Sequence, residues 1–158
     1  WLKQNGLFEQ IKEYKKDIFA ICGGYEMMFE KLDDSLCIEN IEPIIEDGFG
    51  VIPDDIVFKK EKILEKKSYE IFGYTLNGFE IHQWVSKKDL IYFEKHKLKS
   101  TFVHKIFNND SFRTDYFKTI NTNYKGFNFS KYKKNRIDTF IDMMEEKLDV
   151  KRIISSVL

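Results

Sequence analysis

The chain has 158 residues, 42% of them hydrophobic and 33% charged, which is enough for one domain with a real core and too apolar for a disordered chain. Its 26 basic and 26 acidic residues cancel, so no overall field gathers nucleic acid or an anionic membrane. Two cysteines, Cys22 and Cys37, make no disulfide framework and point to a reducing, cytoplasmic setting; no signal peptide leads the chain and no apolar run reaches membrane-spanning length.

Residues 2 to 15 carry Leu7, Phe8, Ile11 and Tyr14 at helical spacing, which predicts an amphipathic helix. Because this helix is under way at Trp1 without a methionine, the sequence is expected to be a fragment. The short apolar run Ile18-Phe19-Ala20-Ile21 predicts a buried strand. Gly23-Gly24 then turns the chain into a second predicted helix, with Tyr25, Met28, Phe29 and Leu32 on one face and a break at Asp33-Asp34-Ser35. The middle reads as strands and turns: Ile56-Val57-Phe58 and Tyr69-Glu70-Ile71 are β-type runs, and Asn77-Gly78 predicts a tight turn. "STFVHKIF" predicts a further strand ending near His104, and Asp110-Ser111 are predicted to cap a helix bearing Phe112, Tyr116, Phe117 and Ile120. A basic, aromatic linker at 125–134 precedes a last helix with Ile137, Phe140, Ile141, Met144 and Leu148 on one face.

The junction "IFAICGGYEMM" holds the main chemical signal. A cysteine between a strand's end and a helix's start meets unpaired backbone N–H groups, which favour thiolate and so predict a lowered thiol pKa. The two glycines permit a sharp turn and leave N–H groups free for an oxyanion. The competing reading is a small buried cysteine beside an ordinary turn. A cysteine nucleophile needs a base. His96 lies among lysines and reads as surface, whereas His82 in "GFEIHQW" and His104 in "STFVHKIF" both end apolar runs; local pattern does not separate these two.

Four ordered blocks carry a family resemblance. "ICGGYEMM" resembles the GICGGYQML segment of the cobyric acid synthase branch of class I glutamine amidotransferases. "GVIPDDIVF" is similar to its GLLP segment, "LNGFEIHQW" to its GYEIHMG, and "STFVHKIFNNDSFR" to its GTYLHGIFDNDxFR. The closing "RIDTFIDMMEEKLDVKRI" is similar to its terminal helix. "GFEIH" favours this branch over the cobyrinic acid amidating enzymes (GHEFH-like) and the peptidoglycan amidotransferase subunits (GFENH-like).

The resemblance implies a three-layer, flavodoxin-like α/β domain over residues 1–158, lacking N-terminal strands and an upstream ATP-dependent synthetase domain. It implies a glutaminase in which Cys22 forms a γ-glutamyl thioester, His104 is the base and the Gly23 N–H supplies half of an oxyanion hole. Gly23, Gly24, Tyr25, Glu80 and His82 are expected at the substrate site, Glu80 and His82 without a catalytic role, and no third triad carboxylate is nominated. Implied partners are glutamine, the synthetase domain and, through it, a corrinoid whose side-chain carboxylates are amidated in cobalamin biosynthesis. No cofactor or metal is expected in this domain; ATP and Mg²⁺ belong to the synthetase.

Some residues depart from the family's pattern. Ser100 and Lys105 replace the two glycines of GTYLHG, and Trp84 stands where the family has glycine. Lys105 is expected to depress protonation of His104. These departures keep open a degenerate, non-catalytic interaction module, or a glutaminase subunit serving another amidoligase such as a peptidoglycan amidating enzyme. A metal site from Cys22, Cys37, His82 and His104 lacks ligand spacing. The lysine-aromatic mixture "YKGFNFSKYKKNR" reads as a solvated linker rather than a single-strand nucleic-acid binder.

Overall fold

Short apolar runs separated by turns build two small sheets in the first of the chain's two units, Trp1–Ile106; the second unit begins at Phe107. The computed structural model describes residues 1–156.

Helix α1 (Leu7–Glu13) is shorter than the predicted 2–15, because Gly6 at its N-cap takes a left-handed φ of 70° and interrupts the helical path. Strand β1 (Ile18–Ile21) forms as predicted. It pairs in parallel with β7 (Leu98–Thr101), and β7 pairs antiparallel with β6 (Tyr92–Lys95).

The predicted second helix is corrected. Only Gly23–Glu26 (α2) is helical, and Phe29–Asp34 is strand β2. The pattern of Tyr25, Met28, Phe29 and Leu32 fits a helix locally, but a distant segment captures the backbone there. The N–H of Gly48 bonds the carbonyl of Glu30 at 2.9 Å, that of Phe49 bonds Met27 at 2.7 Å, and those of Val51 and Ile52 both bond Met28 at 2.9 and 2.8 Å. A Cβ on Gly48 would fall 2.8 Å from the Met27 carbonyl oxygen, so only glycine permits this approach.

β2 sits between β3 (Ile44–Asp47, antiparallel) and β4 (Ile52–Ile71, parallel), and β5 (Tyr74–Val85) closes the second sheet antiparallel to β4. The two β-type runs at 56–58 and 69–71 belong to one long strand. It carries a bulge in which residues 59–62 stand opposite Gln83 alone. The hairpin turns at Phe72-Gly73, both left-handed at φ 53° and 79°, as a two-residue type I′-like loop requires.

Asn77-Gly78, predicted as a turn, lies inside β5 opposite Ser68 and Lys67. The glycine is there for closeness: a Cβ on Gly78 would lie 2.5 Å from Val103 Cγ1 and 2.7 Å from the His104 carbonyl oxygen. The bare backbone lets the 103–104 segment pass directly over the strand, where Phe79 and His104 form an antiparallel bridge. At the hairpin tip Phe72 meets Phe19 and Tyr92 at 5.6 and 4.8 Å between ring centres. The ammonium of Lys99 lies over the Phe72 ring at 5.1 Å, so the tip is fastened to all three strands of the first sheet.

The core of this unit gathers Tyr25, Phe29, Ile52, Ile56, Ile71, Leu76 and Val103, all essentially fully buried. Each contributes about 1.5–3 kcal/mol of burial.

In the second unit α3 (Asp110–Ile120) starts from Asn109 without a side-chain cap. The capping role predicted for Asp110-Ser111 is therefore corrected: Asp110 lies one position inside the helix, and its carboxylate accepts from the Phe129 N–H (3.1 Å) and from Arg113 (2.9 Å). Buried Arg113 also donates to the carbonyls of Phe107 and Phe127, and its guanidinium faces the rings of Phe127 and Phe129. The predicted linker is helical from Phe129, since Asn128 caps α4 (Phe129–Lys147) by accepting from the Lys131 N–H. The terminal helix is broken at Leu148, after which Asp149 caps α5 (Val150–Ser155).

Candidate functional site

Parallel pairing sends the carboxyl ends of β1 and β7 in the same direction. Cys22 follows β1 and His104 follows β7 two residues past Phe102, so adjacent strands deliver both chemistry-bearing residues to one end of the sheet. That end is where α/β sheets commonly place their sites.

Cys22 adopts φ 54° and ψ −118°, outside the regions a residue with a side chain favours and costing about 1–3 kcal/mol. Its N–H is tied to the Thr101 carbonyl on β7 at 3.0 Å, and its carbonyl accepts from the Glu26 N–H at 3.0 Å. The result is a sharp strand–turn–helix elbow with the half-buried sulfur at its apex.

The lowered thiol pKa expected from a helix N-terminus is corrected. Burial and the neighbouring carboxylate of Glu26 push the Cys22 thiol up, against a weaker opposing hydrogen bond from the Gly23 amide. The physical reason is that α2 has four residues, too short for a substantial dipole. Gly23 and Gly24 form its first turn; a Cβ on Gly24 would meet Ala20 at 3.5 Å, an ordinary contact. Tyr25 is fully buried beneath the turn, and its hydroxyl donates to the Leu90 carbonyl at 2.6 Å.

The ring of His104 stacks on Phe79 at 4.7 Å and 9°. Its backbone N–H donates to the Phe79 carbonyl at 2.8 Å. Its Nε2 is buried without a hydrogen-bond partner. Burial lowers the His104 pKa, leaving a neutral imidazole at neutral pH. Lys105 is not the cause: its ammonium lies over the Phe79 ring at 5.2 Å. Lys105 has φ 62°, a left-handed value that explains why glycine suits this position. Ser100 is buried, and its hydroxyl donates to the Phe93 carbonyl.

Glu80, His82 and Trp84 alternate along the inward face of β5 and form a second group. Glu80 accepts from Lys67 (3.0 Å), from the Tyr69 hydroxyl (3.3 Å) and shares a 3.2 Å contact with His82 Nε2. Burial pushes the Glu80 carboxyl up, but the bonds from Lys67 and His82 outweigh it and hold it below the usual carboxylate range. His82 Nδ1 contacts the Trp84 carbonyl at 3.1 Å. The buried Trp84 indole packs against Tyr25, Phe29, His82 and Phe102, and its N–H donates to Glu26 at 2.8 Å.

The structure thus joins Cys22, Gly23, Gly24 and Tyr25 in one turn and His82 with Glu80 in another cluster. The Glu26–Trp84 bond links the two. His104 stands on its own support of Phe79, and no carboxylate orients its ring among the described residues. Sequence reasoning misses Glu26 and the Gly78 cradle, and it marks Trp84 as a departure without its bond to Glu26. Among the described residues no group of three or more His, Cys, Asp and Glu side chains could hold a metal ion, and no helix is long and apolar enough to cross a membrane.

The profile of the CobB/CobQ-like glutamine amidotransferase domain matches residues 1–112. The chain is 48% identical over 157 residues to cobyric acid synthase of Acinetobacter baylyi, covering 99% of this chain and 34% of that protein. It is 30% identical over 191 residues to cobyric acid synthase of Prochlorococcus marinus and 27% over 177 residues to that of Clostridium tetani, covering 98% and 94% of this chain. The same two matches cover 38% and 36% of those proteins, so the chain spans about a third of the length of the curated relatives it matches. The mixed sheets and flanking helices agree with the flavodoxin-like, three-layer α/β fold of class I glutamine amidotransferases. A profile match over this share of the sequence, with such relatives, decides the family: the chain belongs to the CobB/CobQ-like glutamine amidotransferase domains.

Proposed function

We propose that this domain hydrolyses glutamine through Cys22 and His104 and passes the ammonia to an ATP-dependent synthetase elsewhere in a cobyric-acid-synthase-like protein. The observation that carries the reading is the strained Cys22 elbow, bonded at 3.0 Å to the strand that leads into His104.

A neutral His104 imidazole accepts the Cys22 proton as the sulfur attacks the side-chain carbonyl carbon of glutamine. The Gly23 N–H then turns from the sulfur to the oxyanion. The imidazolium protonates the departing nitrogen, which leaves as ammonia, and a γ-glutamyl thioester remains. Water, deprotonated by His104, cleaves the thioester to glutamate and the free thiol. The Nε2 of His104 is buried without a hydrogen-bond partner, so no competing bond holds it from this work. Apo enzymes commonly hold such pairs loosely until substrate binds. Gly23, Gly24, Tyr25, Glu80 and His82 shape the glutamine site, Tyr25 from beneath. The corrinoid carboxylates would be activated in the synthetase, where ATP and Mg²⁺ would be held.

A second reading, an inactive interaction module, draws on the raised Cys22 thiol and on Trp84, which fills a position where the resemblance has glycine. Ammonia release from glutamine separates the two, together with trapping of Cys22 by a glutamine-mimicking diazoketone. Hydrolysis lost in Cys22→Ala and His104→Ala supports catalysis; ammonia release absent from the unmodified protein, or unchanged in Cys22→Ala, rejects it.

A further inference from the structure

We propose that Glu26 is a positioning residue for Cys22: its carboxylate, pinned by the Trp84 indole against the elbow, sets a negative charge beside the sulfur and slows its reaction with electrophiles. This rests on reading Cys22 as the nucleophile.

The geometry starts from the turn itself. Glu26 lies on the single turn of α2, and its N–H bonds the Cys22 carbonyl at 3.0 Å. One carboxylate oxygen is fixed by the Trp84 N–H at 2.8 Å. The other falls 3.9 Å from where a Gly23 Cβ would stand, over the residue next to the sulfur. Trp84 is only 4% exposed and wedged among Tyr25, Phe29, His82 and Phe102, so it makes a rigid anchor. Both residues depart from the motifs quoted above, which carry Gln and Gly at these positions.

A negative charge in a half-buried setting favours thiol over thiolate, adding to burial, which is the larger cause of the raised Cys22 thiol and also pushes the Glu26 carboxyl up. Three other groups face it. Glu39 adds charge of the same sign, His82 steadies the carboxylate, and the Gly23 N–H pulls the other way on the sulfur. His104 is neutral there and contributes no countercharge. The sign follows: removing the Glu26 charge lowers the Cys22 pKa and increases the thiolate fraction.

The test is the pH profile of Cys22 alkylation by iodoacetamide, read by mass spectrometry in a Cys37→Ser background. Glu26→Gln keeps an oxygen to accept from Trp84 and removes the charge. The larger thiolate fraction, damped by the lower nucleophilicity of a less basic sulfur, gives faster alkylation near neutral pH, about threefold for each tenfold gain in thiolate. The profile's midpoint moves to lower pH, a change that loss of packing alone does not mimic. Trp84→Phe unpins the carboxylate and gives an intermediate rate. An unmoved midpoint in Glu26→Gln overturns the proposal. Should that variant not fold, Trp84→Phe decides: a midpoint below the parent's supports the proposal, and an unmoved midpoint refutes it. Glutamine hydrolysis measured alongside keeps the failures distinct. A shifted midpoint without hydrolysis removes the nucleophile reading only, and hydrolysis with an unshifted midpoint removes the role of Glu26 only.

Discussion

Gly78→Ala tests the link between fold and site most directly. The added methyl would stand 2.5 Å from Val103 Cγ1 and 2.7 Å from the His104 carbonyl oxygen, where ordinary contact begins at 3.4 Å. The 103–104 segment must therefore retreat by about an ångström. Overpacking of this kind costs about 1–3 kcal/mol. The retreat also weakens the Phe79–His104 bridge, worth about 1 kcal/mol. Against this, alanine gains about 0.5–1 kcal/mol over glycine in a strand. The net destabilisation is about 1–3 kcal/mol, or roughly 3–10 °C in Tm at this size. His104 moves with the bridge, and an ångström of misplacement at a reacting group costs about a hundredfold in rate. Thermal denaturation followed by circular dichroism and glutamine hydrolysis read the two effects. The partner variant Asn77→Thr, which suits a strand and harms a turn, is expected to leave both nearly unchanged. A Gly78→Ala protein melting within about 1 °C of the parent, with undiminished hydrolysis, would refute the cradle.

Gly73→Ala strikes the actual turn, where φ is 79°, and is expected to cost about 1–2 kcal/mol, seen as a lower urea midpoint. Arg113→Met leaves the carbonyls of Phe107 and Phe127 and the Asp110 carboxylate without their buried donor; a loss of about 2–4 kcal/mol is expected, read as early loss of helical signal. For His104, burial holds the folded pKa below the unfolded value of 6.5. The unfolded chain then binds more protons in that interval, so stability is full above pH about 6.5 and falls as pH drops through it. Urea midpoints at neutral and mildly acidic pH should diverge less in His104→Gln than in the parent, and imidazole proton NMR should place the midpoint below 6.5.

What the sequence disclosed and what it hid divides by distance along the chain. Ile18–Ile21 and the Cys22 elbow were legible because a bounded apolar run and two glycines are local signals. Phe29–Asp34 was not, because its backbone partners lie at 48–52 and local periodicity fits a helix equally well. Asn77-Gly78 carries a turn signature, yet its glycine answers to a steric demand from residues 103 and 104. Ser100 and Lys105 were visible as departures, while the left-handed backbone that explains glycine at 105 was not. Glu80, His82 and Trp84 alternate visibly along one strand face, but the bond from Trp84 to Glu26 spans 58 positions, beyond any window of pattern.

The brevity of α2 has a consequence for how the domain tolerates change. Elsewhere a long helix acts as ballast behind such an elbow; here the ballast is a clasp of amide bonds from Gly48–Ile52 and a single tether to Thr101. Accuracy at the sulfur is therefore outsourced to loops remote in sequence. Substitutions in the 48–52 clasp, well away from the chemistry, should loosen the apex as effectively as substitutions beside it, and slow amide exchange at Cys22 would report whether the tether still holds.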